Sequence, residues 1–311
     1  MSIAAGSVVL LSGGTGGAKL ALALAEEIGP ERLTVIANTG DDIEIYGAHV
    51  SPDPDLVSFW LAGLIDERGW GLRGDTFTVM DELRARGEDV WFNLGDRDLA
   101  WCLRRSSLLA AGATPTNALA TLNASIGQPV RVLPMSDRPV HTWVSTPQGG
   151  WSAFQEFMIR ARAAGPVDGL EFRGAEHARP SPEVLDAIGA AGAIVIGPSN
   201  PLASIGPILA VPGLRAALAS GAAPVVAVSP IVGGQVLKGP TAAFMAFAGH
   251  DCSAAGLLEH YGSLLDGIVA DEQTGTGVPS LQTATLMETS EQRRRLARAL
   301  LGFAGTLGAG G

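Results

Sequence analysis

The stretch Val8-Val9-Leu10-Leu11-Ser12-Gly13-Gly14-Thr15-Gly16-Gly17-Ala18-Lys19-Leu20-Ala21-Leu22-Ala23-Leu24-Ala25-Glu26-Glu27 decides the fold. Unbroken apolar residues, then a glycine-rich turn, then an alanine- and leucine-rich run are the strand, turn and helix that open a βαβ unit. A second strand, Leu33-Thr34-Val35-Ile36-Ala37, follows at the distance one crossover helix requires. The runs at 193–196 and 224–228 are short, wholly apolar and bounded by turn residues, as central parallel strands covered on both faces are. The expected class is α/β: a single Rossmann-like core over 1–311, mostly parallel, with helices on both faces of the sheet.

Two segments break this rhythm. Residues 55–127 read as a helical wall beside the sheet, with helices at 56–67, 76–86 behind Asp75 as N-cap, 99–111 and 116–126. Residues 136–182 read as a small α/β insert with a mixed sheet. There the alternation His141-Thr142-Trp143-Val144-Ser145-Thr146 turns at Pro147-Gln148-Gly149-Gly150 and resumes at Trp151, which is a hairpin pattern. The chain closes on an amphipathic helix over 290–303 with a basic face at Arg293-Arg294-Arg295, and the glycine tail after Gly305 is expected to fray.

Composition narrows the function classes. With 47% hydrophobic and 17% charged residues the chain has the means to bury a core and is not a disordered one. A net charge of −10 excludes a sequence-independent grip on nucleic acid, so any phosphate must be held locally. Two cysteines, Cys102 and Cys252, are too few for a disulfide framework, and the histidines show no metal-binding spacing. No basic leader and no run of about 18 apolar residues is present, so no membrane partner and a cytoplasmic location are expected.

The loops carry the chemistry. A glycine-rich turn opening a helix offers backbone N–H groups and the positive end of the helix dipole to an anion. Gly13 to Lys19 is such a turn, although it matches neither the Walker A pattern nor the dinucleotide fingerprint, and tight strand-to-helix packing is the other use of its glycines. Lys19 and Lys238, the chain's only lysines, both lie beside glycine-rich turns. Carboxylates gather at Asp41-Asp42, where the second strand ends, and at Asp53 and Asp55 in the proline-stiffened Ser51-Pro52-Asp53-Pro54-Asp55. A Mg²⁺ ion bridging such carboxylates and a diphosphate suits this end of an open sheet, with N-capping and turn formation as the alternative. In Gly95-Asp96-Arg97-Asp98, Asp98 reads as a helix cap and Arg97 as a clamp steadied by the aspartates flanking it. Gly197-Pro198-Ser199-Asn200-Pro201 and Ser229-Pro230-Ile231 end later strands with small hydrogen-bonding residues, which turn formation alone would also explain.

In this order the glycine turn, Asn38-Thr39-Gly40-Asp41-Asp42, the proline loop, Leu94-Gly95-Asp96-Arg97-Asp98, Leu133-Pro134-Met135-Ser136-Asp137 and the two serine loops resemble one family over most of the chain. It is the phospholactate transferases of coenzyme F-420 biosynthesis, which attach a phosphorylated three-carbon acid to the deazaflavin FO. The resemblance implies a GDP-linked donor (2-phospholactyl, phosphoenolpyruvyl or 3-phosphoglyceryl), attack by the ribityl hydroxyl of FO, release of GMP and dependence on Mg²⁺. It implies catalytic roles for Asp41, Asp42, Asp55 and Arg97. The metal would fall to Asp41 and Asp55 first, then to Asp42 and Asp53. Donor phosphates would lie on Gly13, Gly14, Thr15, Gly16, Gly17 and Lys19, guanosine on Ser199, Asn200 and Ser229, and FO on Asp53 and Arg97. Asp41 or Asp42 is also a candidate general base.

Pro54 departs from the family pattern, where an aliphatic residue is expected. On this reading Asp55→Asn lowers turnover by at least ~100-fold and leaves thermal stability little changed. Trp60, Trp70, Trp91 and Trp101 read as packing residues rather than as rings that stack on FO. A non-enzymatic nucleotide-sugar-binding regulator is the rival reading. The three-carbon acid is not legible, and the apolar helix at 99–111 suits either the sheet or the interface of a homodimer.

Overall fold

The computed structural model describes residues 6–237, 239–275 and 277–308, so Lys238 and the last glycines lie outside the described residues. Strand β1 (Ser7–Ser12) is buried along most of its length, and helix α1 (Gly14–Ile28) follows directly, burying Leu20, Ala21, Ala23 and Leu24 against the sheet. The chain returns through β2 (Leu33–Ala37), parallel to β1. It then leaves the sheet for a hairpin, β3 (Ile43–Ile45) and β4 (Ala48–Val50), and for the wall helices α2 (Pro52–Leu61), α3 (Thr78–Ala85), α4 (Asp96–Ala110) and α5 (Pro115–Ser125). It re-enters as β5 (Arg131–Pro134), beside β2. The insert holds β6 (His141–Thr146), β7 (Gly150–Ala153), α6 (Phe154–Ile159) and β8 (Gly169–Arg173).

From there α7 (Pro182–Gly189), β9 (Ala191–Ile196), α8 (Ile205–Ala210), α9 (Leu214–Ser220) and β10 (Val225–Val228) rebuild the alternation. A short hairpin, β11 (Ile231–Val232) and β12 (Gln235–Val236), precedes α10 (Thr241–Phe247), α11 (Ala254–Tyr261), β13 (Gly267–Ala270), β14 (Ser280–Gln282) and α12 (Ser290–Leu307). The main sheet runs β14-β13-β10-β9-β1-β2-β5, and its strand pairs are all parallel. Strand order reverses between β1 and β9, where an open parallel sheet leaves a crevice beyond its carboxyl ends.

Apolar side chains cover both faces. One layer joins the sheet to α1 and α12 through Leu20, Leu24, Leu296 and Leu300, and the other joins it to the insert and to α7–α11 through Phe157, Ile205, Leu214 and Phe244. The wall keeps a core of its own, in which Phe59, Met80, Leu99, Trp101 and Leu122 meet. Trp101 is thus a packing residue, edge-on to Phe59 at 5.2 Å, whereas Trp70 is 44% exposed. No helix among the described residues is long and apolar enough to cross a membrane.

Several expectations need correction. The insert sheet, β7-β6-β8, is antiparallel throughout rather than mixed. Helix α2 starts at Pro52, since proline suits a first helical turn, and ends before Gly63, whose positive φ helical backbone does not share. Asp75 does not cap α3. Its carboxylate accepts the N–H groups of Arg97 and Asp98 at the start of α4, while Asp96 accepts those of Thr78 and Val79 at the start of α3, so the two helices cap each other. Helix α12 continues through Gly305 to Leu307 instead of fraying there.

The glycine run proves to be the first turn of α1, not a loop. A Cβ on Gly16 would lie 2.2 Å from the Pro198 carbonyl oxygen, whereas Gly14, at φ +70°, has nothing within 4 Å of such an atom. Gly16→Ala should therefore lower unfolding free energy by about 3 kcal/mol through overpacking, and Gly14→Ala by about 1 kcal/mol through backbone strain alone. Denaturant midpoints of the two variants check this, and equal losses would contradict the close approach of α1 to the β9 turn.

Candidate functional site

Asn38 is the first residue beyond β2 and is wholly buried. Its backbone N–H continues the sheet by donating to Ser12 O at 2.9 Å, which fixes the side chain at the carboxyl edge. The side-chain amide nitrogen then donates to two acids at once, Asp41 Oδ1 at 3.1 Å and Asp53 Oδ2 at 2.9 Å, while its oxygen accepts the Gly40 N–H. Asp53 uses its other oxygen to accept the Gly14 N–H at 2.7 Å, and Ser199 Oγ accepts the Gly13 N–H at 3.1 Å. Asp53 thus caps α1, not its own helix. The first four N–H groups of a helix lack helical acceptors, so those of Thr15 and Gly16 remain as donors at the β1–β9 crevice.

Asp41 and Asp53 are each 6% exposed. Burial, then the charge of Asp53, raises Asp41 well above the ordinary carboxylate range, with the Asn38 hydrogen bond opposing. Burial also pushes Asp53 up to about 6 against the hydrogen bonds from Asn38 and Gly14. Two acids pressed together with one neutral amide between them are short of positive charge.

The other two carboxylates are already engaged. Asp42 accepts from Ser51 Oγ at 2.8 Å and meets His49 Nε2 at 3.1 Å, and His49 Nδ1 reaches Glu44 at 2.6 Å. Burial raises Asp42, opposed by His49 and Ser51. Burial alone would lower His49, but its bonds to Asp42 and Glu44 outweigh it and raise the imidazole. Asp55 is paired with the Arg105 guanidinium through both oxygens and accepts Trp101 Nε1–H at 2.8 Å. Asp55 and Arg105 are each 4% exposed. A carboxylate already bound to a buried cation has less to offer a second one than Asp53, whose partners are a neutral amide and a backbone N–H.

Other expected contacts also move. Lys19 turns from the helix N-terminus to Glu288, at 3.3 Å, and to the Trp60 ring. Arg97 is not clasped by its neighbours. Its guanidinium donates to Arg73 O at 3.1 Å and the side chain is otherwise exposed. Asn200 Oδ1 accepts from Leu202 and Ala203 N–H, and Ser229 Oγ accepts from Ile231 N–H, so both shape their own loops. Beside the acids lies a cavity of about 300 Å³ lined by Asp41, Asp42, Ile43, Trp143, Phe154 and Gln155. Among the described residues Thr142 Oγ1 on its wall and Ser12 Oγ beneath α1 are buried without a hydrogen-bond partner. Sequence reasoning missed Asn38 and Arg105 as site-shaping residues. The position immediately after β2 was a signal for Asn38, and the helical spacing of Arg105 from Asp98 and Trp101 was one for Arg105, although Arg104 beside it carries the same charge.

Among the described residues no three His, Cys, Asp or Glu side chains are grouped to hold a metal ion by themselves. Two carboxylates suit Mg²⁺ nonetheless, since that ion commonly takes one or two protein acids and completes its shell with substrate phosphates and water.

The Asp55–Arg105 pair changes the outlook for Asp55→Asn. Loss of the charge strands a buried guanidinium, so unfolding free energy should fall by about 3–5 kcal/mol in denaturant titration. An unchanged midpoint would restore the earlier expectation that the residue is dispensable for stability.

Comparisons with known proteins give the chain a family. The model of the family described as 2-phospho-L-lactate transferase CofD matches residues 8–294. A phosphoenolpyruvate transferase of Streptomyces griseus is 44% identical, over 89% of each chain. A 2-phospho-L-lactate transferase of Methanosarcina mazei is 38% identical, over 93% of this chain and 98% of its own. The crystal structure of protein BH3568 from Bacillus halodurans shares the fold, with a TM-score of 0.57 at 19% identity over 85% of this chain and 80% of that one. By the extent of these matches, the chain belongs to the 2-phospho-L-lactate transferase CofD family.

Proposed function

We propose that this protein moves a phosphorylated three-carbon acid from a GDP-linked donor to the ribityl hydroxyl of FO, releasing GMP, with Mg²⁺ at Asp41 and Asp53. The observation that carries the reading is the abutment of two opposite sites. A pair of buried acids short of positive charge stands against a helix N-terminus with unclaimed N–H groups. A diphosphate ester with its cation fits such a junction. The relatives, a phosphoenolpyruvate transferase and a 2-phospho-L-lactate transferase, support the same chemistry.

When bound, Mg²⁺ would supply positive charge to the diphosphate as it divides. The chain's own residues do the rest. Asn38 holds Asp41 and Asp53 side by side, and Ser199 and Asp53 orient the start of α1 so that the Thr15 and Gly16 amides face phosphate oxygens. The adjoining cavity, walled by Trp143 and Phe154, gives an aromatic acceptor a dry seat. The acceptor oxygen forms a bond to the phosphorus nearer the acid, the bond from that phosphorus to GMP breaks, and the hydroxyl proton passes to the carboxylate of Asp41 or Asp42, the candidate bases. A regulator that only binds nucleotide sugars has no use for a costly pair of buried acids, which favours the enzyme.

Purified protein given FO, Mg²⁺ and each of the three GDP-linked acids in turn should release GMP with at least one of them. Release with none would end the reading. Asp53→Ala should lower turnover by about 100-fold or more, as loss of a charged group from a phosphoryl-transfer site does.

Protonation gives a second check. Because folding raises both acids, they favour the folded state at low pH and weaken it as pH rises through about 6, until a cation replaces the protons. Mg²⁺ should accordingly raise the melting temperature more at pH 8 than at pH 5, and equal increments at the two pH values would count against the pair as its site.

A further inference from the structure

One face of the insert sheet carries a stacked group outside the acid pair and its helix. Along β6, Thr142 and Val144 are buried, while Trp143 between them is half-buried on the other face. In the antiparallel register Trp143 lies opposite Glu171 on β8, and His141 lies opposite Arg173. Arg173 is therefore the diagonal neighbour of Trp143, at a separation that long and aromatic side chains span. The two meet closely. The guanidinium carbon lies 3.9 Å from the centre of the Trp143 ring and 5.4 Å from that of Trp151 on β7. Glu171, two residues back on the same face, accepts from Arg173 Nε at 2.8 Å and holds the planar group in place. Gly169 makes room for Trp151, since a Cβ there would lie 2.8 Å from the indole.

An indole has two faces to fill. Trp143 lines the cavity beside the acids, together with Ile43, Ala153 and Phe154, and Arg173 is not among the lining residues. We infer that Arg173 is a positioning residue for the acceptor: its guanidinium backs the Trp143 indole and fixes that ring as the wall on which a flat aromatic heterocycle stacks. The inference rests on the acceptor proposed for this cavity. A ring already held in one rotamer has less freedom to lose when a ligand settles against it, so the stack behind Trp143 strengthens binding in front of it. Arg173 touches no reacting atom, and its loss should act on acceptor binding rather than on the chemical step.

GMP release measured against FO and, separately, against donor concentration tests this, with FO affinity read directly by fluorescence titration. The proteins are wild type, Arg173→Gln, Trp143→Leu and the double variant. Arg173→Gln should raise both the KM and the Kd for FO by about 2- to 5-fold, the range of an exposed cation–π contact, and leave kcat and the donor KM as they are. Trp143→Leu should raise the two FO constants by about 10-fold. Because the guanidinium acts through the indole, removing it from the Trp143→Leu protein should change nothing further.

A merely structural role for the stack would lower the melting temperature and act alike on donor and acceptor. Wild-type FO affinity in Arg173→Gln, an equal rise in its donor KM, or a full additional loss in the double variant overturns the inference. Should Trp143→Leu fail to fold, as melting curves would reveal, the Arg173→Gln constants decide alone. Absence of FO binding to wild type overturns the acceptor assignment and this role with it. FO binding by wild type that neither substitution alters overturns the positioning role only.

Discussion

One amide holds the site together. Asn38 offers two hydrogens, and each goes to a different buried carboxylate, so acids that would repel are kept within reach of the same nitrogen. Because the Asn38 backbone is the last rung of β2 against β1, the sheet itself sets where that nitrogen lies. Asp53 passes the constraint on by capping α1, and the carboxylate arriving from α2 thereby fixes the start of the helix that crosses back over β1. Sheet, first helix and wall are registered to one another at this point. The arrangement is incomplete in charge, and both acids respond by holding protons more firmly than free aspartates do.

The remaining acids of the segment show how closely spaced aspartates come to do different work. Asp53 and Asp55 are two residues apart on one helix, which turns them to opposite sides of it. Asp53 meets a neutral amide and a helix N-terminus, while Asp55 meets a guanidinium and an indole N–H. The first partner set brings no positive charge and the second brings one. Asp42 divides from Asp41 in the same way, drawn by His49 and Ser51 into the β3–β4 hairpin. Four acids close in sequence become one pair bridged by a neutral amide and two acids with partners of their own in the hairpin and the wall.

This division marks the limit of what the sequence showed. Strands β1, β2, β9 and β10 were legible because they are buried on both faces and read as uninterrupted apolar runs. The edge strands β5 and β14 were not, being three or four residues long and carrying Arg131, Ser280 and Gln282 on exposed positions. Central β13 was hidden by its length of four residues and its leading glycine. The acids themselves stood out by spacing. Their partners did not, since Arg105 lies 50 residues from Asp55 and Glu288 lies 269 from Lys19, distances that no local pattern spans. Electrostatic roles depend on such remote neighbours, so residue types were readable where assignments were not.

The glycine run illustrates why packing and ligand binding are poor alternatives to choose between. Gly16 and Gly17 are there for proximity: a side chain on either would strike the Pro198 carbonyl or Ser12. That proximity is also what lets Ser199, in the same turn as Pro198, reach the Gly13 N–H, and what brings the free amides of the first turn to the crevice between β1 and β9. A Cβ at Gly16 would push α1 outward and carry those amides away from any phosphate lying over Asp41 and Asp53. Close packing at this crossing thus sets where the first-turn amides lie, and on the proposed reading it is the means by which the fold would present them to an anion.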